Sequence, residues 1–241
     1  MITTNRNIDR IRISECHAGK TFALEKSYLH VNLKNKGRQT SELLELKCEN
    51  ESVGPLRLNG FQEKSIDVPW IPKKRGLQKL PMIKMQSRFP FGLLTAWKVK
   101  RENTQVLVYP AKKGRSELPN QESASENSGE VGLFRDLREY QMNDSPRRVD
   151  WRASTKHQEI LVRTYEGPSQ KSYLFDWSDT ADIVSFEDRI SQICLWIVNA
   201  EKLGFEYSMR IGGFLSESGH GPKHFTRCLD YLAQMTREGV D

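Results

Sequence analysis

The stretch KSYLFDWSDTADIVSFEDRISQICLWIVNAEKLGFEYSMRI, residues 171–211, decides the reading of the fold. Lys171 to Asp176 has the apolar content of a short strand and runs out into a polar loop. Ser185-Phe186-Glu187-Asp188 resembles a helix-opening capping box with Asp in place of the usual Glu. Ile190, Ile193, Cys194, Ile197 and Val198 then recur at helical spacing, and Gly204 is a natural C-terminal stop. Phe205 to Ile211 reads as a second strand. A strand, helix and strand of this length predict a right-handed βαβ unit with parallel strands, because a parallel return needs a crossover. A last amphipathic helix is predicted from Pro222 to Arg237, with Phe225, Cys228, Leu229, Leu232 and Met235 on one face.

Working toward the N-terminus, the period changes from helical to alternating. Residues 28–33, 43–48, 64–68, 80–85 and 104–109 are short alternating runs separated by turn formers such as Asn35-Lys36-Gly37, Val53-Gly54-Pro55 and Asn59-Gly60. Several strands at this spacing predict an antiparallel β-sandwich. Residues 117–129 carry too little apolar content to order themselves by burial. The fold expected is therefore α+β in two parts: a β-sandwich over 1–112, a linker or flexible loop over 113–132, and a small α/β domain over 133–241.

The charge divides at nearly the same place. Residues 1–115 hold 23 Lys and Arg against 10 Asp and Glu, a net +13, which leaves −7 for the remainder of a chain whose total is +6. A basic half can face nucleic acid, an anionic membrane leaflet or an acidic partner. No run approaches the roughly 20 apolar residues of a membrane span, and the first residues contain no apolar core of a signal peptide. Cys16, Cys48, Cys194 and Cys228 lack any C-x-x-C spacing and read as free thiols of a reducing compartment, with a cytoplasmic location implied.

Most short motifs fall away on inspection. Gly19-Lys20-Thr21 has the tail of a phosphate-binding loop, but Ser14 stands where that loop needs glycine. Gly212, Gly213, Gly219 and Gly221 lack dinucleotide spacing, and His220 lies outside a helix beginning near Pro222, so it cannot share a metal face with His224. Cys16 and His17, being adjacent, point in divergent directions.

Two clusters stand out. Residues 138–156 are dense in Arg, Asp, Tyr and Trp, groups that form bidentate ion pairs and stack on one another. Asp176-x-Ser178-x-Thr180 leaves the predicted parallel strand at its C-terminal end, where open α/β sheets hold their ligands. One carboxylate and two hydroxyls at alternate positions are hard oxygen donors of the kind Mg²⁺ accepts.

Arg138-x-Tyr140-x-x-x-Asp144-x-x-Arg147-x-Val149-Asp150-Trp151-x-x-Ser154, followed by Leu161 to Glu166 with Arg163 and Glu166, and then by the Asp176 motif, resembles the bacterial domain-of-unknown-function 58 family. Arg88-Phe89-Pro90-Phe91-Gly92-Leu93, Val108-Tyr109-Pro110, Tyr207 to Ile211 and Cys228 to Ala233 are also similar to that family's pattern. Asn143 stands where the family has glycine, and Asn tolerates a left-handed backbone. The resemblance implies a β-sandwich joined to a partial von Willebrand factor A-like region, and membrane helices ahead of a start such as this one. It further implies a MoxR-type AAA+ ATPase and a membrane transglutaminase-like protein as partners, and the reading is a non-enzymatic scaffold whose basic half is expected to lie against an anionic membrane surface. Two other classes are weighed beside it: nucleic-acid binding with Trp70, Phe89, Phe91 and Trp97 as stacking groups, and a hydrolase or transferase using Asp144, Asp150 or Asp176.

Overall fold

Strands in the first half form because alternate residues are apolar and only one face can be buried. Leu29, Val31 and Leu33 are fully buried while Tyr28, His30 and Asn32 between them are not. The computed structural model describes residues 2–119, 133–141, 149–157, 159–166 and 172–237. Within them the elements run α1 (Ile2–Asp9), β1 (Ile11–His17), β2 (Thr21–Phe22), β3 (Ser27–Asn35), β4 (Ser41–Cys48), β5 (Glu51–Leu58), β6 (Glu63–Trp70), β7 (Gly76–Lys79), β8 (Ile83–Ser87), β9 (Ala96–Lys100) and β10 (Gln105–Tyr109). They continue with β11 (Leu133–Glu139), α2 (Trp151–His157), β12 (Leu161–Glu166), β13 (Ser172–Asp176), a 3-10 turn at Trp177–Thr180, α3 (Phe186–Leu203), β14 (Glu206–Ile211), β15 (Phe214–Leu215) and α4 (Pro222–Gln234).

The result is a mixed α+β fold with several antiparallel sheets and a few helices. One antiparallel sheet has the order β1-β3-β6 and a second β5-β4-β8-β9. Side chains from both enter one buried cluster, including Val31, Leu33, Leu46, Met85 and Val68, with Ile8 of α1 beside them. All five runs predicted from alternation contain strands, though β8 starts only at Ile83, after Pro81, which has no N–H to give a ladder. In this half α1, β1, β2, β5, β7 and β9 lie outside the runs read from alternation, the strands among them because their apolar alternation is broken or short.

In the second half the predicted crossover is present. β13 pairs parallel with β14, register Ser172↔Glu206 through Asp176↔Arg210, and α3 connects them. Ser185 Oγ accepts the Asp188 amide at 3.3 Å, and Gly204 closes the helix at φ 69° and ψ 24°, where a side chain would be strained. Tyr173, Phe175, Tyr207 and Met209 meet Ile193, Cys194, Ile197, Leu229 and Leu232 of the two helices in a second core.

α4 ends at Gln234, three residues earlier than predicted, because Met235 turns extended and Arg75 takes the helix's last carbonyls. Arg75 Nη1 donates to Leu232 O at 2.7 Å and Ala233 O at 3.1 Å, its Nη2 to Met235 O at 2.8 Å, and its Nε faces Glu187 at 2.9 Å. The halves therefore meet along a seam of opposite charge. A third small sheet, β2-β10-β7, carries the basic side, and Asp230 of α4 receives Lys20 at 2.7 Å and the Tyr109 hydroxyl at 3.1 Å. Tyr109 itself belongs to the second core. Residues 114–117, expected within a loop, lie along α3: Gln192 brackets the Arg115 main chain at 2.7 and 2.8 Å, and Trp196 donates to Glu117 O at 2.6 Å. Gly114 sits at φ 140° against the Gln192 side chain, a close approach that leaves no room for a Cβ. Residues 120–132 of that expected loop lie outside the described residues.

Candidate functional site

The C-terminal end of β13 faces the end of β14 because the strands run parallel, so Asp176 lies directly across from Arg210. Asp176 leaves the strand in extended conformation, φ −96° and ψ 144°, and its carboxylate turns back to cap the 3-10 turn. Oδ1 accepts from Ser178 N–H at 2.8 Å and from Ser178 Oγ at 2.7 Å, while Asp179 Oδ2 accepts the Asp176 amide at 3.1 Å. The other carboxylate oxygen faces Arg210 Nη1 at 3.3 Å. Burial alone would raise the Asp176 pKa, but the two Ser178 hydrogen bonds and the Arg210 guanidinium outweigh it and hold the carboxyl below its ordinary value.

Thr180 goes elsewhere. It is fully buried, donates to Trp177 O at 2.8 Å and accepts from Arg189 Nε at 2.9 Å. Arg189 lies over the Trp177 ring at 3.9 Å and donates to Trp177 O at 2.7 Å, so the hydroxyl pins the turn to α3. The structure brings Asp176 and Ser178 together and turns Thr180 away, since a 3-10 turn does not preserve the two-residue alternation of a strand. The residues present do not fit a resident Mg²⁺. The Asp176 carboxylate already accepts two hydrogen bonds on one oxygen and faces a cationic guanidinium with the other, and the neighbouring Asp179 carboxylate accepts the Asp176 amide. Among the described residues no group of three or more His, Cys, Asp or Glu is arranged to hold a metal ion.

The other cluster folds onto the β11–β12 hairpin, whose register pairs Arg138 with Val162 and Glu139 with Leu161. Asp150 Oδ1 accepts from the amides of Arg152 at 3.1 Å and Ala153 at 3.0 Å, capping α2. Ser154 Oγ donates to Asp150 O at 2.7 Å and accepts the Leu161 amide at 2.9 Å, which ties α2 to β12. Tyr140 is half-buried, with its amide donating to Ile160 O at 2.8 Å, whereas Arg138 and Trp151 are exposed. Asp144 and Arg147 lie outside the described residues, and Arg163 and Glu166 are described only as backbone of β12.

Arg189, Arg210 and Trp177 were not singled out from sequence. Register carries the signal for Arg210, because Asp176 and Arg210 hold matching positions once the strands are aligned in parallel. Among the proposed stacking aromatics, Trp70 is buried in the first core and Phe89 is half-buried, while Phe91 and Trp97 are exposed. The four cysteines are free and buried. Cys228 approaches His224 Nε2 at 3.7 Å, a pairing the sequence reading overlooked, but burial pushes its thiol up to about 11, against nucleophilic use. No helix among the described residues is long and apolar enough to cross a membrane.

No family model matches the chain, and a search of curated proteins returned no match.

Proposed function

We propose that the chain is a non-enzymatic scaffold of a bacterial membrane-associated system. In this reading an antiparallel β-sandwich over 1–112 lies toward the membrane, and a partial von Willebrand factor A-like unit over 133–241 recruits a MoxR-type AAA+ ATPase. The observation that carries it is the Asp176–Ser178–Arg210 cluster at the end of a parallel strand pair, where a carboxylate, a hydroxyl and a guanidinium are already oriented by hydrogen bonds within the chain. Groups held in place before binding lose little freedom on docking, so such a rim favours recognition of a polar partner surface. It recruits through hydrogen bonds and ion pairs and needs no bridging metal. Asp150 and Asp176 both spend carboxylate oxygens on main-chain amides, which favours a structural and recognition role over acid or base chemistry.

The test is a pull-down from the native host with wild-type chain, Asp176→Ala and Arg210→Ala. The ATPase is expected with wild type and at least about tenfold depleted with either variant, the loss of one charge-assisted contact. Equal recovery with all three would overturn the assignment of the rim.

A further inference from the structure

The strand-rich half ends in a set of turns whose exposed side chains the fold does not use. β8 and β9 are joined by residues 88–95, beyond the last registered pair, Ser87↔Ala96. At the tip Phe91 is 83% and Leu93 86% exposed, with Leu94 at 48% and Trp97 at 60% on the adjoining strand. Gly92 makes this turn possible at φ 74°, its amide donating to Arg88 O at 2.8 Å.

Register brings other turns to the same end. Leu44 pairs with Ser87 and Ser41 with Leu58, so the start of β4, the end of β5 and the β8–β9 tip share one edge of the molecule. Asn7 of α1 binds them together, donating to Ser87 Oγ and to Glu42 O, each at 2.8 Å. The β5–β6 turn presents Phe61, 65% exposed, and its amide donates to Gly37 O at 3.0 Å in the β3–β4 turn. Lys36 in turn donates its amide to Arg10 O at 2.8 Å. Exposed Leu43 lies on this end too.

Lys36 and Arg38 lie between β3 and β4 and Arg88 directly after β8, and Arg10, whose carbonyl accepts the Lys36 amide, adds a cation beside them with Arg6 one turn earlier in α1. Along the β8–β9 hairpin Arg88 stands at this tip, while Lys98 donates to Ile8 O and Ile11 O and Lys100, across from Ile83 at the far end, pairs with Glu102. Of the acids at this end, Glu42 faces Arg57 at 3.6 Å and Glu63 pairs with Lys34, which leaves Asp9 as the remaining one among the described residues. Single exposed apolar residues are ordinary; three apolar turns at one end are not.

We infer that this end docks on an anionic lipid surface, with Phe91, Leu93 and Phe61 entering the headgroup boundary and the surrounding Lys and Arg meeting lipid phosphates. The apolar groups sit on separate protruding turns and not in a groove, and a fluid interface accepts such projections where a protein partner would need matching pockets. Trp97, behind the tip and under Lys84 at 5.2 Å, has the amphipathic character of side chains found at headgroup depth. The inference rests on the membrane-side placement proposed above and names the element that makes contact.

Vesicle flotation of the full chain tests it, using phosphatidylcholine with and without phosphatidylglycerol. Wild type is expected to float with the anionic vesicles only. The double variant Phe91→Ser with Leu93→Ser should lose about tenfold or more in affinity. Its thermal unfolding should match wild type, because both side chains are exposed. Arg38→Glu with Arg88→Glu should abolish flotation, and the emission assigned to Trp97 by a Trp97→Phe control should shift to the blue on binding. Anionic binding that survives the serine variant overturns insertion of the tip while the membrane-side placement stands. Failure of wild type to float with any vesicle overturns both.

Discussion

Asp176 and Asp150 begin alike and end differently. Each turns its carboxylate onto amides just ahead, Ser178 for the first and Arg152 and Ala153 for the second. At Asp150 the nearby serine faces inward: Ser154 spends its hydroxyl on Asp150 O and the Leu161 amide, so the polar groups splice α2 to β12. At Asp176 the serine donates into the carboxylate itself, and Arg210 arrives from the next strand, leaving a charged cluster at the surface. An Asp-to-Ser spacing therefore has no fixed structural meaning. It becomes a splice where a neighbouring strand offers an unpaired amide, and a displayed patch where the neighbouring strand offers a charge.

The displayed patch is most vulnerable at its support. Arg189→Ala removes hydrogen bonds to Thr180 and Trp177 O together with the stacking on Trp177, and should destabilise the fold by about 2–3 kcal/mol in urea unfolding. Affinity for the proposed ATPase partner should fall with it, since the turn carrying Ser178 loses its anchor to α3. Asp150→Ala removes the α2 cap and should cost about 1 kcal/mol. It should leave ATPase affinity at the Asp176 rim unchanged, which sharpens the distinction between splice and display. The smallest effect is in pH. Because the Asp176 carboxyl is held below its ordinary value, its ion pair and hydrogen bonds stabilise the fold above that value, and this stabilisation is lost as pH falls through the folded-state pKa. In Asp176→Asn that part of the acid dependence should disappear, as read from unfolding midpoints between neutral and acidic pH.

Local chemistry was legible in the sequence wherever cause and effect lie within a few residues. The Ser185 cap, the Gly204 stop and the alternation of Leu29, Val31 and Leu33 each act at short range, and the parallel pairing of β13 with β14 followed from the length of chain between them. The site was harder to read. Asp176 and Ser178 were identified, but Thr180 leaves their group because a 3-10 turn replaces strand geometry just past Asp176. Arg189 and Arg210 reach this region from 9 and 34 residues away, through a helix face and a strand register that spacing does not reveal. Arg75 closes α4 from 157 residues upstream, and the basic and acidic halves use part of their charge on each other at Lys20–Asp230 and Arg75–Glu187. The +13 of the first half, read alone, overstates what is left for partners.

The most direct measurement is calorimetry of the chain with a MoxR-type ATPase, carried out in EDTA and again in Mg²⁺. A rim that recognises its partner through the carboxylate, hydroxyl and guanidinium gives equal affinity in both buffers, at least about tenfold weaker for Asp176→Ala and for Arg210→Ala. Binding that appears only with Mg²⁺ and is indifferent to Arg210 would contradict the account.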